Sequence, residues 1–175
     1  KEKSDASRCA KHGHTCYSVH PLHPVLRPDA IGDFLLAARA GEFDCIFFTS
    51  ALPAKIIGPD LKNPPRVIAI GPQTAKELEA AGIASEVLPS FYSRDFVPFL
   101  GEWIRGKQIG IPRADVQNEK LLAAIRDAGG IPREYRCYGL EPTDEPLALD
   151  DADAILFTSA MSYRKAAWKS RPGLL

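Results

Sequence analysis

The chain has 175 residues, 45% of them hydrophobic and 25% charged, with 22 Lys+Arg balanced by 22 Asp+Glu. That composition excludes disordered and collagen-like chains, and the length allows one large domain or two small ones. Zero net charge speaks against sequence-independent nucleic-acid binding, which needs excess Lys and Arg, and no apolar run approaches the roughly 18 residues of a membrane helix.

The start, Lys1-Glu2-Lys3-Ser4-Asp5, lacks the apolar core of an export signal, so a cytoplasmic location is expected. Residues 5 to 12 predict a short helix closed by Gly13, and Tyr17 to Leu26 an extended segment interrupted by Pro21 and Pro24. Pro28-Asp29 opens a helix whose Ile31, Phe34, Leu35 and Ala38 share one face, with Gly41 as its stop. Cys45 to Thr49 is a short apolar run of the kind buried on both faces of a parallel sheet. Another helix signal follows, then Arg66 to Ile70 as a second such strand.

Gly71-Pro72-Gln73-Thr74 leads into a helix over Thr74 to Ala81, with Gly82 beyond its end, and Glu86-Val87-Leu88 is a third strand. Ser93 is expected to cap a helix carrying Phe96, Phe99, Leu100 and Trp103. Gln108 to Ile111 is a strand. Glu119 to Ala128 is a helix with Leu121, Leu122 and Ile125 inward, stopped by Gly129-Gly130, and Tyr135 to Leu140 is extended. Strands and helices alternating at these spacings indicate a doubly wound α/β fold.

One segment repeats. Asp44-Cys-Ile-Phe-Phe-Thr-Ser-Ala51 returns as Asp153-Ala-Ile-Leu-Phe-Thr-Ser-Ala160, differing only where Cys45 meets Ala154 and Phe47 meets Leu156. Each copy follows a helix ended by glycine and an extended segment, so the chain reads as two related α/β halves. A Thr-Ser pair at the carboxyl end of a strand sits where such folds bind ligands. In the first half the pair is followed by the strand Arg66 to Ile70. The second half stops where its equivalent would begin, so the sequence is expected to be a piece of a longer chain.

Cys9, His12, His14, Cys16, His20 and His23 cluster near the start, but their spacing matches no tight Cys/His pattern for zinc, and no metal is expected. Cys45 and Cys137 also lack a Cys-x-x-Cys partner, so all four cysteines read as reduced thiols. Gly71-Pro72-Gln73-Thr74 is neither a dinucleotide fingerprint nor a phosphate loop; Thr74 reads as a helix cap, an anion ligand, or both. Arg113, after a strand, reads as a surface arginine or a carboxylate clamp. Tyr138 reads as core or as a phenol beside a cleft. No Ser-His-Asp series or paired catalytic carboxylates emerge. The residues alone lead to an α/β protein binding an anionic small molecule between two halves.

Phe-Phe-Thr-Ser-Ala (47 to 51), Ala-Ile-Gly-Pro-Gln-Thr-Ala-Lys-Glu-Leu-Glu-Ala-Ala-Gly (69 to 82), Tyr-Arg-Cys-Tyr (135 to 138) and Ile-Leu-Phe-Thr-Ser-Ala (155 to 160) occur in that order. Together they resemble the uroporphyrinogen-III synthase family over nearly the whole chain. The resemblance implies two related doubly wound parallel-sheet domains joined by two extended linkers, the second domain incomplete in this chain. Residues 28–132 would form the continuous domain, 1–16 with 143–175 the discontinuous one, and 17–27 with 133–142 the linkers. A first strand ending in Thr-Arg and a second Gly-Pro-x-Thr loop, both usual in the family, are absent from the sequence.

The implied reaction is cyclisation and dehydration of the linear tetrapyrrole hydroxymethylbilane to uroporphyrinogen III with inversion of ring D, in a cleft between the domains. It implies a monomer without cofactor or metal, whose partner is that small molecule rather than nucleic acid or membrane. By motif position, Tyr138 is implied to assist the departing hydroxyl. Ser50, Thr74 and Ser159 would bind acetate or propionate groups, with Arg113 and Lys165 as weaker candidates. The alternative is a non-catalytic tetrapyrrole-binding or regulatory module on the same fold.

Overall fold

The computed structural model describes residues 2–116, 118–143, 145, 152–157 and 160–167, with the backbone alone at 2–4 and 160. The chain divides into two compact units, Lys1–Pro24 with Leu140–Leu175, and Val25–Gly139. Among the described residues no helix is long and apolar enough to cross a membrane.

Helix α1 (Glu2–Lys11) opens the chain, Gly13 just beyond it takes φ +75°, and strand β1 (Leu22–Leu26) follows after a segment of no regular structure. Helix α2 (Pro28–Arg39) starts on a proline, whose missing N–H costs nothing in a first turn, and buries Phe34 and Ala37. Strand β2 (Cys45–Phe48) is buried at every residue. After it come α3 (Ala51–Ile57), β3 (Arg66–Ala69), α4 (Pro72–Ala80) and β4 (Glu86–Val87). Gly82, just past α4, has φ +77°, a left-handed conformation that glycine adopts without penalty.

The single helix expected to carry Phe96 through Trp103 is broken. A 3₁₀ turn (Ser93–Asp95) leads into α5 (Phe96–Leu100), and Gly101 at φ +54° diverts the chain into a second 3₁₀ turn (Gly101–Ile104). Pro98 removes a backbone donor within α5, so little backbone bonding opposes that break. Ser93 makes no cap; its Oγ instead accepts from Asn118 Nδ2 at 3.4 Å. Strand β5 (Gln108–Ala114) and α6 (Glu119–Asp127) follow, with Asn118 Oδ1 accepting from Leu121 N to cap α6. Strand β6 (Ile131–Pro142) begins earlier than the sequence predicts, because every residue from Ile131 to Arg136 finds a register partner on β5.

The sheet has six strands in the order β1-β6-β5-β2-β3-β4. The pairs β2–β3, β3–β4, β2–β5 and β5–β6 are all parallel. Hydrogen bonds from Thr143 N to Pro21 O and from Arg27 N to Cys137 O run in opposite senses along β1 and β6, which makes that edge pair antiparallel.

One apolar layer gathers Phe47, Ile68, Leu88, Phe96, Ile104, Ile109, Ile111, Leu121, Leu122 and Ile125. Within it Phe47 and Phe96 stack at 4.1 Å. Fully burying each such side chain is worth about 1.5–3 kcal/mol. A second aromatic group joins Phe34 and Phe43, stacked at 5.4 Å, with Tyr135 edge-on to both. Gly110 of β5 lets Phe43 lie on the strand: a Cβ there would stand 3.1 Å from the ring.

In the other unit, helix α7 (Ala160–Lys165) is short, and Phe157 lies edge-on to Tyr163 at 5.3 Å. Thr143 Oγ1 donates to His20 O at 2.6 Å, and His20 N donates to Glu145 Oε2 at 3.2 Å. The repeat predicts a buried strand at Asp153 to Phe157, and the structure differs. Residues 152–157 form no strand, and Leu156 is 89% exposed. A strand exists through its neighbours. β2 has β3 and β5 beside it, whereas the sheet places no strand against the second copy among the described residues.

Candidate active site

In an open parallel sheet, ligands bind beyond the carboxyl ends of the strands, where the strand order reverses and consecutive loops diverge. Here the chain runs outward from β2 through β3 to β4, then returns to place β5 on the other side of β2. The reversal therefore lies between β2 and β5.

Ser50 follows β2 in extended conformation, φ −164° and ψ 162°, directly before α3. From β6, across the intervening β5, comes Tyr138. Its hydroxyl lies 3.2 Å from Ser50 Oγ, with either oxygen able to donate. Tyr138 is only 6% exposed, and a buried phenol needs such a partner. The structure thus brings together two of the residues singled out in the sequence, at the switch point of the sheet.

Thr74 lies on the next crossover, after β3, and is buried at 3% exposure. It stands in the first turn of α4 rather than at the cap, which is Gly71 with Pro72 behind it. The first-turn amides have no acceptor within the helix. Phe91 closes on this turn: a Cβ on Gly71 would sit 3.0 Å from its Cδ1.

Arg113, near the end of β5, is neither a surface residue nor unengaged. It is 6% exposed, its Nη2 donates to Val116 O, and its Nη1 forms an ion pair with Glu134 Oε1 at 3.1 Å. That pair lacks hydrogen-bond alignment, so Nη1 keeps donor capacity. Lys165 belongs to the other unit, where its exposed ammonium donates to Leu140 O at 3.1 Å. Ser159 lies outside the described residues.

The thiols near these strands are inert bases. Burial pushes Cys45 up to about 12 and Cys137 up to about 11, so neither ionises at neutral pH. Among the described residues no group of three or more His, Cys, Asp or Glu is arranged to hold a metal ion.

The family model described as uroporphyrinogen-III synthase HemD matches residues 4–167. The chain belongs to the uroporphyrinogen-III synthase family. A mutant uroporphyrinogen III synthase of Thermus thermophilus superposes with a TM-score of 0.58 at 13% identity, over 81% of this chain and 60% of that one. The wild-type structure from the same organism gives 0.54 at 16% identity, over 82% of this chain and 59% of that one. The chain thus spans about 60% of the length of these synthase structures, and at such identities they establish the fold. No curated protein sequence matches.

Four charged residues of this synthase-family chain escape the sequence: Arg27, Asp115, Glu134 and Arg136. Together with Arg113 they form a run of ion pairs around Tyr138. The alternation Glu134-x-Arg136 on a strand was a usable signal. The partnership of Glu134 with Arg113 was not, because it arises only from the β5–β6 register.

Proposed function

We propose that the protein is a uroporphyrinogen-III synthase, a carbon–oxygen lyase that cyclises and dehydrates hydroxymethylbilane with inversion of ring D. The observation that carries this reading is the family match over residues 4–167; the Ser50–Tyr138 pair at the sheet's switch point supports it. The architecture that goes with it has two related domains, 28–132 and 1–16 with 143–175, joined by linkers 17–27 and 133–142. The protein would work as a cytoplasmic monomer on a free small molecule, without a cofactor and without nucleic-acid or membrane partners.

In this reading Tyr138 gives its proton to the hydroxyl leaving ring A, so that water departs and an azafulvenium cation remains. The phenolate left behind accepts a hydrogen bond from Ser50, which lowers the cost of creating charge in a buried place. The substituted carbon of ring D then attacks the cation, forming a spiro intermediate that rearranges to the inverted macrocycle. The proton lost as the ring system regains its conjugation returns to the phenolate. Holding a flexible chain in the reactive fold supplies much of the acceleration. Thr74 with the first amides of α4, Ser50, Arg113 through Nη1, Ser159 and Lys165 are proposed to bind the acetate and propionate groups.

The test supplies freshly generated hydroxymethylbilane and separates the product isomers. Predominantly isomer III supports the reading. Only isomer I, the spontaneous product, overturns it and leaves a non-catalytic tetrapyrrole-binding module. Tyr138→Phe should lower kcat by about 10²-fold or more while KM changes little.

A further inference from the structure

Strand β6 is irregular where Tyr138 sits. The β5–β6 register advances evenly from Gln108↔Ile131 to Arg113↔Arg136, then jumps to Ala114↔Tyr138 and leaves Cys137 opposite no residue. In a regular strand Tyr138 would share a face with Glu134 and Arg136. The extra residue of a bulge breaks that alternation and re-aims the side chain that follows it.

A bulge also interrupts the ladder, so its backbone groups need other partners. Cys137 O accepts from Arg27 N at 2.8 Å, and Tyr138 O accepts from Asp115 N at 2.7 Å. The same two residues are joined through their side chains, Arg27 Nη2 to Asp115 Oδ2 at 2.5 Å. Asp115 Oδ1 pairs with Arg136 Nη1 at 3.2 Å, and Arg136 Nε donates to Glu134 Oε2 at 3.0 Å. Glu134 ends the series on the buried Arg113. Five alternating charges therefore wrap the bulge and tie it to the entrance of α2 and the end of β5. Single exposed ion pairs contribute little, but a network anchored on a buried arginine holds geometry.

We infer that Asp115 is a positioning residue: by bridging Arg27 and Arg136 while its N–H holds Tyr138 O, it fixes the bulge at Cys137 and aims the Tyr138 phenol at Ser50. The kinetic part of this inference rests on the proposed role of Tyr138 in the synthase reaction; the geometric part does not.

Asp115→Asn keeps the volume and the backbone N–H and removes the charge. In protein labelled with ¹³C at tyrosine Cζ, the Tyr138 resonance, assigned by its loss in Tyr138→Phe, should move in Asp115→Asn while those of Tyr92 and Tyr163 stay. A Tyr138 resonance that does not move overturns the inference. In turnover, Asp115→Asn should lower kcat about 10- to 100-fold with KM nearly constant, and should cost nothing further in the Tyr138→Phe background. Independent, multiplying losses overturn the inference while sparing the synthase reading. Full activity of Tyr138→Phe would instead remove the tyrosine from the mechanism, and the resonance would then decide the positioning claim. Arg136→Gln, at a half-exposed site, opens the same carboxylate from outside and should shift the same resonance if Asp115→Asn does not fold.

Discussion

Tyr138 on β6 and Ser50 beyond the end of β2 meet hydroxyl to hydroxyl at 3.2 Å, across the whole width of β5. Two inter-strand spacings amount to roughly 10 Å, so the contact spans the crevice rather than lying beside it. Removing Ser50 Oγ leaves a buried phenol without this partner. In the proposed reaction Ser50→Ala also withdraws the hydrogen bond to the phenolate that forms on Tyr138, so kcat should fall about 5-fold, equivalent to about 1 kcal/mol. In the Tyr138→Phe background the same change should leave kcat almost unchanged, with any loss of carboxylate binding read in KM, and equal losses of kcat in both backgrounds would show that Ser50 does not act through Tyr138.

Gly130 follows α6 where the chain turns into β6. A Cβ there would stand 2.9 Å from both Ile104 Cγ1 and Ile125 Cγ2, and 3.2 Å from Ile125 O. Both isoleucines are fully buried, so neither can swing away. Gly130→Ala should destabilise the protein by about 1–3 kcal/mol, read as a lower urea midpoint. An unchanged midpoint would mean that this corner of the core is loosely packed.

How much of this was legible follows physical lines. Helices ending at glycine, and the strand Cys45–Phe48 buried on both faces, are local patterns, and they form as the sequence predicts. Ser50, Thr74 and Tyr138 sit on motifs long enough to be read. The break at Gly101 is a choice between a continued helix and tertiary packing, which periodicity does not decide. Residues 152–157 carry nearly the sequence of β2 without its neighbours, so composition promised a strand that pairing did not supply. Glu134-x-Arg136 was readable as a same-face pair on one strand, but the links of Arg113 to Glu134 and of Asp115 to Arg136 and Arg27 depend on sheet order and on a one-residue bulge, neither of which leaves a mark in sequence spacing.

Acid should weaken the far end of the sheet. Hydrogen bonds from Arg66, 2.6 Å from Nε and 2.9 Å from Nη2, hold the Glu86 carboxyl below its ordinary range. The Gln108 N–H, and then Lys107, do the same for Asp44. A carboxyl whose folded value is depressed stabilises above its unfolded value, about pH 4, and that contribution fades as pH falls through the folded value. Both side chains are more than a third exposed, so solvent reduces the effect. The urea midpoint should fall between about pH 5 and pH 3, less steeply in Glu86→Gln; parallel curves would exclude Glu86 as a source.

The cysteines should separate by burial. Cys45 and Cys137 are buried with their thiols pushed up to about 12 and about 11, whereas Cys9 and Cys16 are half-buried. Alkylation near pH 8 should mark Cys9 and Cys16 in the native protein, and the other two only in denaturant. Native labelling of Cys45 would show that the central strand opens.

The placement of β2 has a consequence for how the chain is made. Its four buried residues pair on one side with β3, beginning at Arg66, and on the other with β5, whose matching residue is Ile109. At about 5–20 residues per second, a ribosome leaves one edge of Cys45–Phe48 uncovered for seconds after β3 has formed. An apolar edge in that state is a template for a neighbouring nascent chain. A holding chaperone should therefore raise the recovered yield without changing the urea midpoint, because the hazard lies in the order of synthesis.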